Sequence, residues 1–244
     1  MITTKTIPKL VHYVWVGPKP KPDNFDICFA SWHKYFSVSD GWIIKEWTEE
    51  NLPLSEMPEY YHKAIREKKW AFASDVARTY ILLKHGGVYL DTDMLMYKNI
   101  DHLLAYEFFS GYEDEKNIAC GINGSVIGSI IISELYSYYE NNTEIKAIPI
   151  ILTEIINKLK IENRLPSNIY IASQNVFYSY PKDRPVDPLK FIPPEEALAI
   201  HLWDYSWQSD TKKNLKKIPG FNLLKNILNK IGILEQVKKI LKQV

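Results

Sequence analysis

An α/β fold is the architecture this sequence predicts, and three stretches predict it. In residues 7–17 the run IPKLVHYVWVG is almost continuously apolar, as in a strand buried on both faces. A helical segment and a second strand follow, the strand-helix-strand order with which a nucleotide-binding α/β half begins. Residues 71–93, AFASDVARTYILLKHGGVYLDTD, then join a helix, two glycines, an apolar strand and an Asp-Thr-Asp triplet. The expected product is a mixed, mostly parallel sheet between helices. At 244 residues one main domain is expected, over residues 1–210, with a basic appendage over 211–244.

The elements follow in order. The first strand runs into an extended loop in which Pro18, Pro20 and Pro22 are separated by lysines. His12, inside that strand, reads as a core histidine with its hydrogen bonds satisfied rather than as a ligand. Residues 24–36, with Phe25, Ile27, Phe29, Trp32 and Phe36, form a helix, and residues 42–47 a second strand. Residues 48–70 read as helical, with Thr48 and Asn51 as the start signal. In residues 72–85, Val76, Tyr80 and Leu83, with Ala77 and Ile81, supply an apolar side. Asp75 and Arg78 are one turn apart and share a face. Gly86 suits a left-handed helix end, and Gly87 lets the chain turn into the strand 88–90. Further strands are expected at 94–97, 108–112, 119–127 and 169–172, with a polar turn at 113–117. Helices are expected at 130–139 and 150–159, and a closing strand carries His201. In residues 223–244, Leu224, Ile227, Leu228, Ile231, Leu234, Val237, Leu241 and Val244 recur at helical steps, predicting a C-terminal amphipathic helix.

Charge narrows the function classes. The net charge is +1, which gives no whole-protein reason to expect nucleic acid as a partner. Residues 211–244 nevertheless hold nine Lys and one Glu. That segment reads as an interfacial anchor on an anionic membrane surface; the alternative is a helix packed on the core with a solvated Lys face. No signal-like apolar region opens the sequence, and no apolar run approaches the roughly eighteen residues of a span. A cytoplasmic protein, peripheral on the inner face of the cell membrane, is therefore expected. Cys28 and Cys120 lack metal-ligand spacing and read as two reduced, buried thiols.

Asp91 and Asp93 carry the chemistry. In an extended chain they point the same way out of the end of a buried strand. Two carboxylates there make a hard oxygen site suited to Mg²⁺ or Mn²⁺, which bind carboxylates together with substrate phosphates. An ion so held binds a diphosphate and stabilises it as it leaves. A bare DxD is more often a solvated turn, but the helix, double glycine and apolar strand before it restrict that reading.

The runs ASDVAR at 73–78 and GGVYLDTD at 86–93 resemble glycosyltransferase family 32, the DXD family of yeast-type initiating α-mannosyltransferases and bacterial capsule glycosyltransferases. They are similar, more distantly, to the large clostridial glucosylating toxins. The resemblance covers residues 5–97 well and 119–127 and 177–207 thinly. It implies a GT-A fold, a UDP- or GDP-sugar donor, usually Mn²⁺, and retention of anomeric configuration. Asp75, Arg78, Asp91 and Asp93 become the catalytic set, with Asp75 and Arg78 on donor-sugar hydroxyls; their spacing equally permits a helix ion pair worth a few tenths of a kcal/mol. The opening IPKLVHYVW resembles the family's first strand, so Trp15 either stacks on the donor base or is a core Trp. Asn123-Gly124-Ser125 resembles a segment whose Asn faces the donor sugar; an ordinary hairpin Asn-Gly is the alternative. Residues 201–207, HLWDYSW, resemble the family's terminal block. That implies His201 as a third metal ligand, and Ser206 and Trp207 in a loop over the diphosphate; a lone His is more often structural. Tyr89 is core or donor-lining, and the FYSYP run at 177–181 is structural. Surface or capsular polysaccharide synthesis is the expected setting, with a saccharide acceptor, a lipid-linked one included. Two rivals stand beside this reading. An aspartyl-phosphate-type phosphatase also opens on an apolar strand and DxD, but Met94-Leu95 stands where its loop is needed. A non-catalytic sugar-binding or membrane-scaffold protein is the other.

Overall fold

The computed structural model describes residues 6–182 and 186–204. Among the described residues, six strands form the central sheet: β1 (Leu10–Val14), β2 (Ile43–Trp47), β3 (Gly87–Leu90), β5 (Phe108–Gly111), β6 (Ile122–Ser125) and β7 (Ile169–Ala172), in the order β2-β1-β3-β6-β5-β7. β1 pairs parallel with β2 and β3, β5 pairs parallel with β7, and β6 is antiparallel to both neighbours. Five strands therefore share one direction, and their carboxyl ends lie along one edge. β4 (Met94–Met96) leaves this sheet and pairs antiparallel with β8 (Ala199–His201).

Period-two alternation divides the apolar residues between two cores. Tyr89 faces α2 (Glu59–Arg66), α3 (Trp70–His85), α4 (Ile130–Asn141) and α5 (Ile148–Ile161), while Val88 and Leu90 face α1 (Phe25–Tyr35), β4, β8 and α6 (Gln174–Phe177). Trp32 of α1 donates its indole N–H to the Met94 carbonyl at 2.7 Å, tying the helix to the strand that follows the DTD triplet.

Residues 48–70 are not one helix. Asn51 Oδ1 accepts from the Thr48 amide at 2.9 Å and Leu52 N–H donates back to Thr48 at 3.0 Å, so this stretch is a turn. Pro53 and Pro58 each disfavour helix in the residue before them, and α2 starts only after Pro58. Gly86 ends α3 at φ 61°, ψ −156°, an extended left-sided conformation rather than the left-handed helical one expected. A Cβ there would sit 2.9 Å from Ser125 O, so glycine is required by contact as well as by φ. Asn123-Gly124 is not a hairpin turn: it lies inside β6 opposite Tyr89 and Val88, and the Phe109 ring occupies the space a Gly124 side chain would need. Cys28 and Cys120 are both free and buried, as expected. The residues of the expected C-terminal helix, 223–244, lie outside the described residues. No described helix is long and apolar enough to cross a membrane.

His12 is the core histidine the sequence suggested. Trp47 Nε1–H donates to its Nδ1 at 3.1 Å, and its Nε2 faces the Gly86 carbonyl at 3.0 Å, which fixes a neutral ring with the proton on Nε2. Burial, opposed by the Gly86 bond, pushes its pKa down to about 4. The unfolded chain takes up a proton near pH 6.5 and the folded one does not. Stability is thus present in full above pH 6.5 and is lost as pH falls toward 4, by up to about 3 kcal/mol. Urea unfolding between pH 7.5 and 4.5 is expected to show this loss, and His12→Gln to lack most of it. Parallel losses in both proteins would assign the titration elsewhere.

Candidate active site

The carboxyl edge of the sheet is where an open α/β sheet binds ligands, and Trp15, Asp75, Arg78, Tyr89, Asp91, Asp93 and His201 gather there. The DTD triplet is a tight turn, not the extended strand end the sequence suggested: Met94 N–H donates to Asp91 O at 3.0 Å and Asp91 N–H to Gly121 O at 2.7 Å. The chain must turn because β4 departs for β8, whose register sets His201 opposite Met94. As a result one ligand atom each from Asp91, Asp93 and His201 falls within 4.8 Å of the others. His201 Nε2 lies 2.9 Å from Asp93 Oδ1 and 3.9 Å from Asp91 Oδ2, and the Asp204 amide donates to Asp93 Oδ2 at 2.9 Å.

Asp91 is positioned from the other side. Arg78 Nη2 bridges Asp91 Oδ1 at 2.9 Å and Asp75 Oδ1 at 3.1 Å, and its Nη1 donates to the Cys120 carbonyl at 2.7 Å. The guanidinium lies 4.3 Å from the Tyr89 ring centre, and Tyr89 O–H donates to Asp91 Oδ1 at 3.2 Å. The helix ion pair that the 75/78 spacing permits is therefore formed, and it is also built into the site. Burial pushes the Asp91 carboxyl up, with Arg78 opposing. Burial pushes Asp75 up to about 7 against the same cation. Asp93 feels burial too, but His201 and the Asp204 amide outweigh it and hold it below the usual carboxylate range. His201 is raised, because Asp93 outweighs its burial.

These residues fit a divalent cation. Two carboxylates and one imidazole converge, and carboxylate oxygens suit Mg²⁺ and Mn²⁺. Tyr178, whose ring meets His201 edge-on at 5.8 Å, holds the imidazole in place, and its hydroxyl accepts from the Ile122 amide at 3.1 Å.

A cleft of about 380 Å³ opens above this floor. Trp15, Asp75, Arg78, Tyr89, Asp91, Asp93 and His201 all line it. Trp15 is half-buried and donates its indole N–H to Lys19 O at 2.8 Å, so it forms a wall rather than core. Tyr89 is both core and lining, 1% exposed with its hydroxyl at the site. Asn123 is 1% exposed and does not reach the cleft wall. Ser206 and Trp207 lie outside the described residues. Sequence reasoning passed over Trp70, Glu113, Lys182 and Trp203, which also line the cleft. Glu113 looked like part of a polar turn; its signal is its place two residues past β5, on the carboxyl edge.

Residues 22–110 match the family described as a glycosyltransferase sugar-binding region containing a DXD motif. An uncharacterized glycosyltransferase of Acanthamoeba polyphaga mimivirus is 29% identical over 142 residues, 56% of this chain and 55% of the relative. The chain thus spans about half the length of that relative. Among solved structures, PaToxG glycosyltransferase aligns with a TM-score of 0.50 at 18% identity, over 63% of this chain and 70% of that one. A glycosyltransferase involved in glycosylation of the major capsid of PBCV-1 aligns with a TM-score of 0.45 at 12% identity, over 86% of this chain and all of that one. The fold is GT-A, with the matched residues 22–110 ending inside β5 and including the DTD turn.

Proposed function

We propose that this chain is a metal-dependent, retaining glycosyltransferase that moves a hexosyl unit from a UDP- or GDP-sugar to a saccharide acceptor. The observation that carries the reading is the convergence of Asp91, Asp93 and His201 in a cleft also walled by Trp15 and the Asp75–Arg78 pair. The matched DXD region and the GT-A fold support it. Asp91, Asp93 and His201 would hold Mn²⁺, with Mg²⁺ as the alternative. When bound, such an ion offsets the negative charge that gathers on a departing diphosphate.

The protein's own groups supply orientation. Arg78 and Tyr89 fix Asp91 Oδ1, and the Asp204 amide and His201 fix Asp93, so neither carboxylate has to be ordered when the donor arrives. Asp75, at the cleft wall with its pKa near 7, accepts or donates to a neutral sugar hydroxyl. An aspartyl-phosphate mechanism needs a carboxylate free to attack. Arg78 and Tyr89 hold Asp91 by Oδ1 and leave Oδ2 toward His201 and the metal position, an arrangement that suits a metal ligand better than a nucleophile.

Trp15 at the β1 end suits a base. Stacking of a base on an aromatic ring contributes roughly 1–3 kcal/mol. Trp15→Ala is expected to weaken binding of UDP or GDP with Mn²⁺ by about tenfold or more, with little change in melting temperature. Titration calorimetry tests both this and the reading itself. Unchanged nucleotide affinity with a large fall in melting temperature would return Trp15 to the core.

The basic segment 211–244, with its apolar periodicity, supports a peripheral position on an anionic inner membrane face, next to a lipid-linked acceptor such as surface or capsular polysaccharide synthesis uses. Each Lys near such a surface contributes on the order of 1 kcal/mol, a contribution that salt weakens. Vesicles containing anionic lipid are expected to bind the full chain in low salt and to hold it less in high salt. A chain ending at Asp210 is expected not to bind them.

A further inference from the structure

Glu113 and Lys182 face each other in the same cleft, on the side away from Trp15, and no role assigned so far uses them. The sheet order explains where they lie. The carboxyl ends of β1, β3 and β5 line one edge, with the start of β6 between the last two. Trp15 follows β1, Asp91 follows β3, and Glu113 lies just past β5. β3 and β5 are two strand spacings apart, so Glu113 stands roughly 10 Å beyond Asp91 along the edge. On the reading above, base, diphosphate and donor sugar would take the β1 and β3 portion, where Trp15, Asp75, Arg78 and Asp91 lie. The β5 portion is left for a second substrate.

Chemistry narrows that substrate. Glu113 is a carboxylate with 18% of its side chain exposed; Lys182 lies 3.7 Å away, a loose ion pair, and Asp114 and His201 also act on its charge. Both side chains thus have polar capacity to offer the cleft. A carboxylate repels a diphosphate, so this position suits a neutral ligand rich in hydroxyls. Lys182 adds donors beside it and lies 4.3 Å from the ring centre of Trp203, which itself packs 4.1 Å from His201. The pair is thereby coupled to the metal-site wall. Burial pushes the Glu113 carboxyl up, with Lys182 opposing, as expected for an acid inside the cleft rather than on the surface.

We propose that Glu113 and Lys182 bind hydroxyl groups of the acceptor saccharide on the β5 side of the cleft, an assignment that rests on the glycosyltransferase reading above. Glu113 accepts from one hydroxyl, Lys182 donates to another, and together they place the acceptor across from Asp75 and Arg78.

The test uses the full chain with Mn²⁺ and either UDP or GDP, titrated with methyl glucoside, galactoside and mannoside. At least one glycoside is expected to bind saturably. Glu113→Gln is expected to weaken that glycoside roughly 10- to 100-fold, the loss of a charge-assisted hydrogen bond, and Lys182→Met to weaken it in the same direction. Nucleotide affinity is expected to stay within about twofold in both, which a merely structural ion pair would not separate from glycoside binding. If Glu113→Gln does not fold, Lys182→Met decides by the same comparison. No glycoside binding by the natural protein, equal binding by the variants, or parallel loss of nucleotide and glycoside would each overturn the acceptor assignment. Failure of the natural protein to bind UDP or GDP with Mn²⁺ would instead overturn the glycosyltransferase reading.

Discussion

Asp93→Ala is expected to abolish glycosyl transfer while the protein stays folded. Asp93 holds His201 at 2.9 Å and accepts from the Asp204 amide, and it contributes one of the three converging ligand atoms. Its removal takes away a ligand and frees the imidazole. Loss of one preorganised electrostatic partner costs about 3 kcal/mol or more, at least 10²-fold in turnover. Folding is expected to lose less than turnover, because relief of the repulsion on Asp91 offsets part of the lost His201 and Asp204 contacts. Asp93→Asn keeps an acceptor for the Asp204 amide but removes the charge, so it is expected to restore stability without restoring turnover. Melting temperature and donor hydrolysis, measured on both variants, separate the two effects. Full activity of Asp93→Ala in chelator would end the metal reading.

Arg78→Leu is expected to have the largest effect on stability. The side chain of Arg78 is 7% exposed and answers two carboxylates and the Cys120 carbonyl. Taking one partner from a buried ion cluster leaves uncompensated charge and costs about 3–5 kcal/mol. Lysine is not expected to rescue it, since one ammonium cannot reproduce the planar fork that meets Asp75, Asp91 and a carbonyl together. Asp75→Asn combined with Arg78→Leu is expected to recover part of the loss. Urea unfolding reads these differences, and a cost below about 1 kcal/mol would mean that the cluster is solvated.

Much of this organisation was legible because its signals are local. The apolar opening run, the helix at 24–36, the two glycines after His85 and the apolar Val88-Tyr89-Leu90 fix strands and helices by periodicity and backbone need alone. Asp75 and Arg78 could be paired by helical spacing. The errors have physical causes as well. Two prolines overrode the aromatic and charged pattern of 48–70. The DTD turn could not be read because its geometry depends on β4 pairing with residues more than a hundred positions later. Glu113 was invisible for a similar reason: a glutamate in a polar turn acquires meaning only when β5 is set two strands from β3. Asn123 is a different case: the resemblance pointed to the cleft, and the strand register sets it beside Tyr89 on the same sheet face, buried behind the cleft wall.

On the proposed function, Asp91, Asp93 and His201 serve a metal-dependent reaction on a nucleotide sugar. The direct measurement is a screen of UDP- and GDP-hexoses for hydrolysis by the full chain, with Mn²⁺, with chelator, and with Mn²⁺ restored. One or a few donors are expected to release nucleoside diphosphate and free hexose, chelator to stop this, and Mn²⁺ to return it. Hydrolysis that proceeds equally in chelator, or no turnover of any donor by a protein that is folded and metal-loaded, would contradict it.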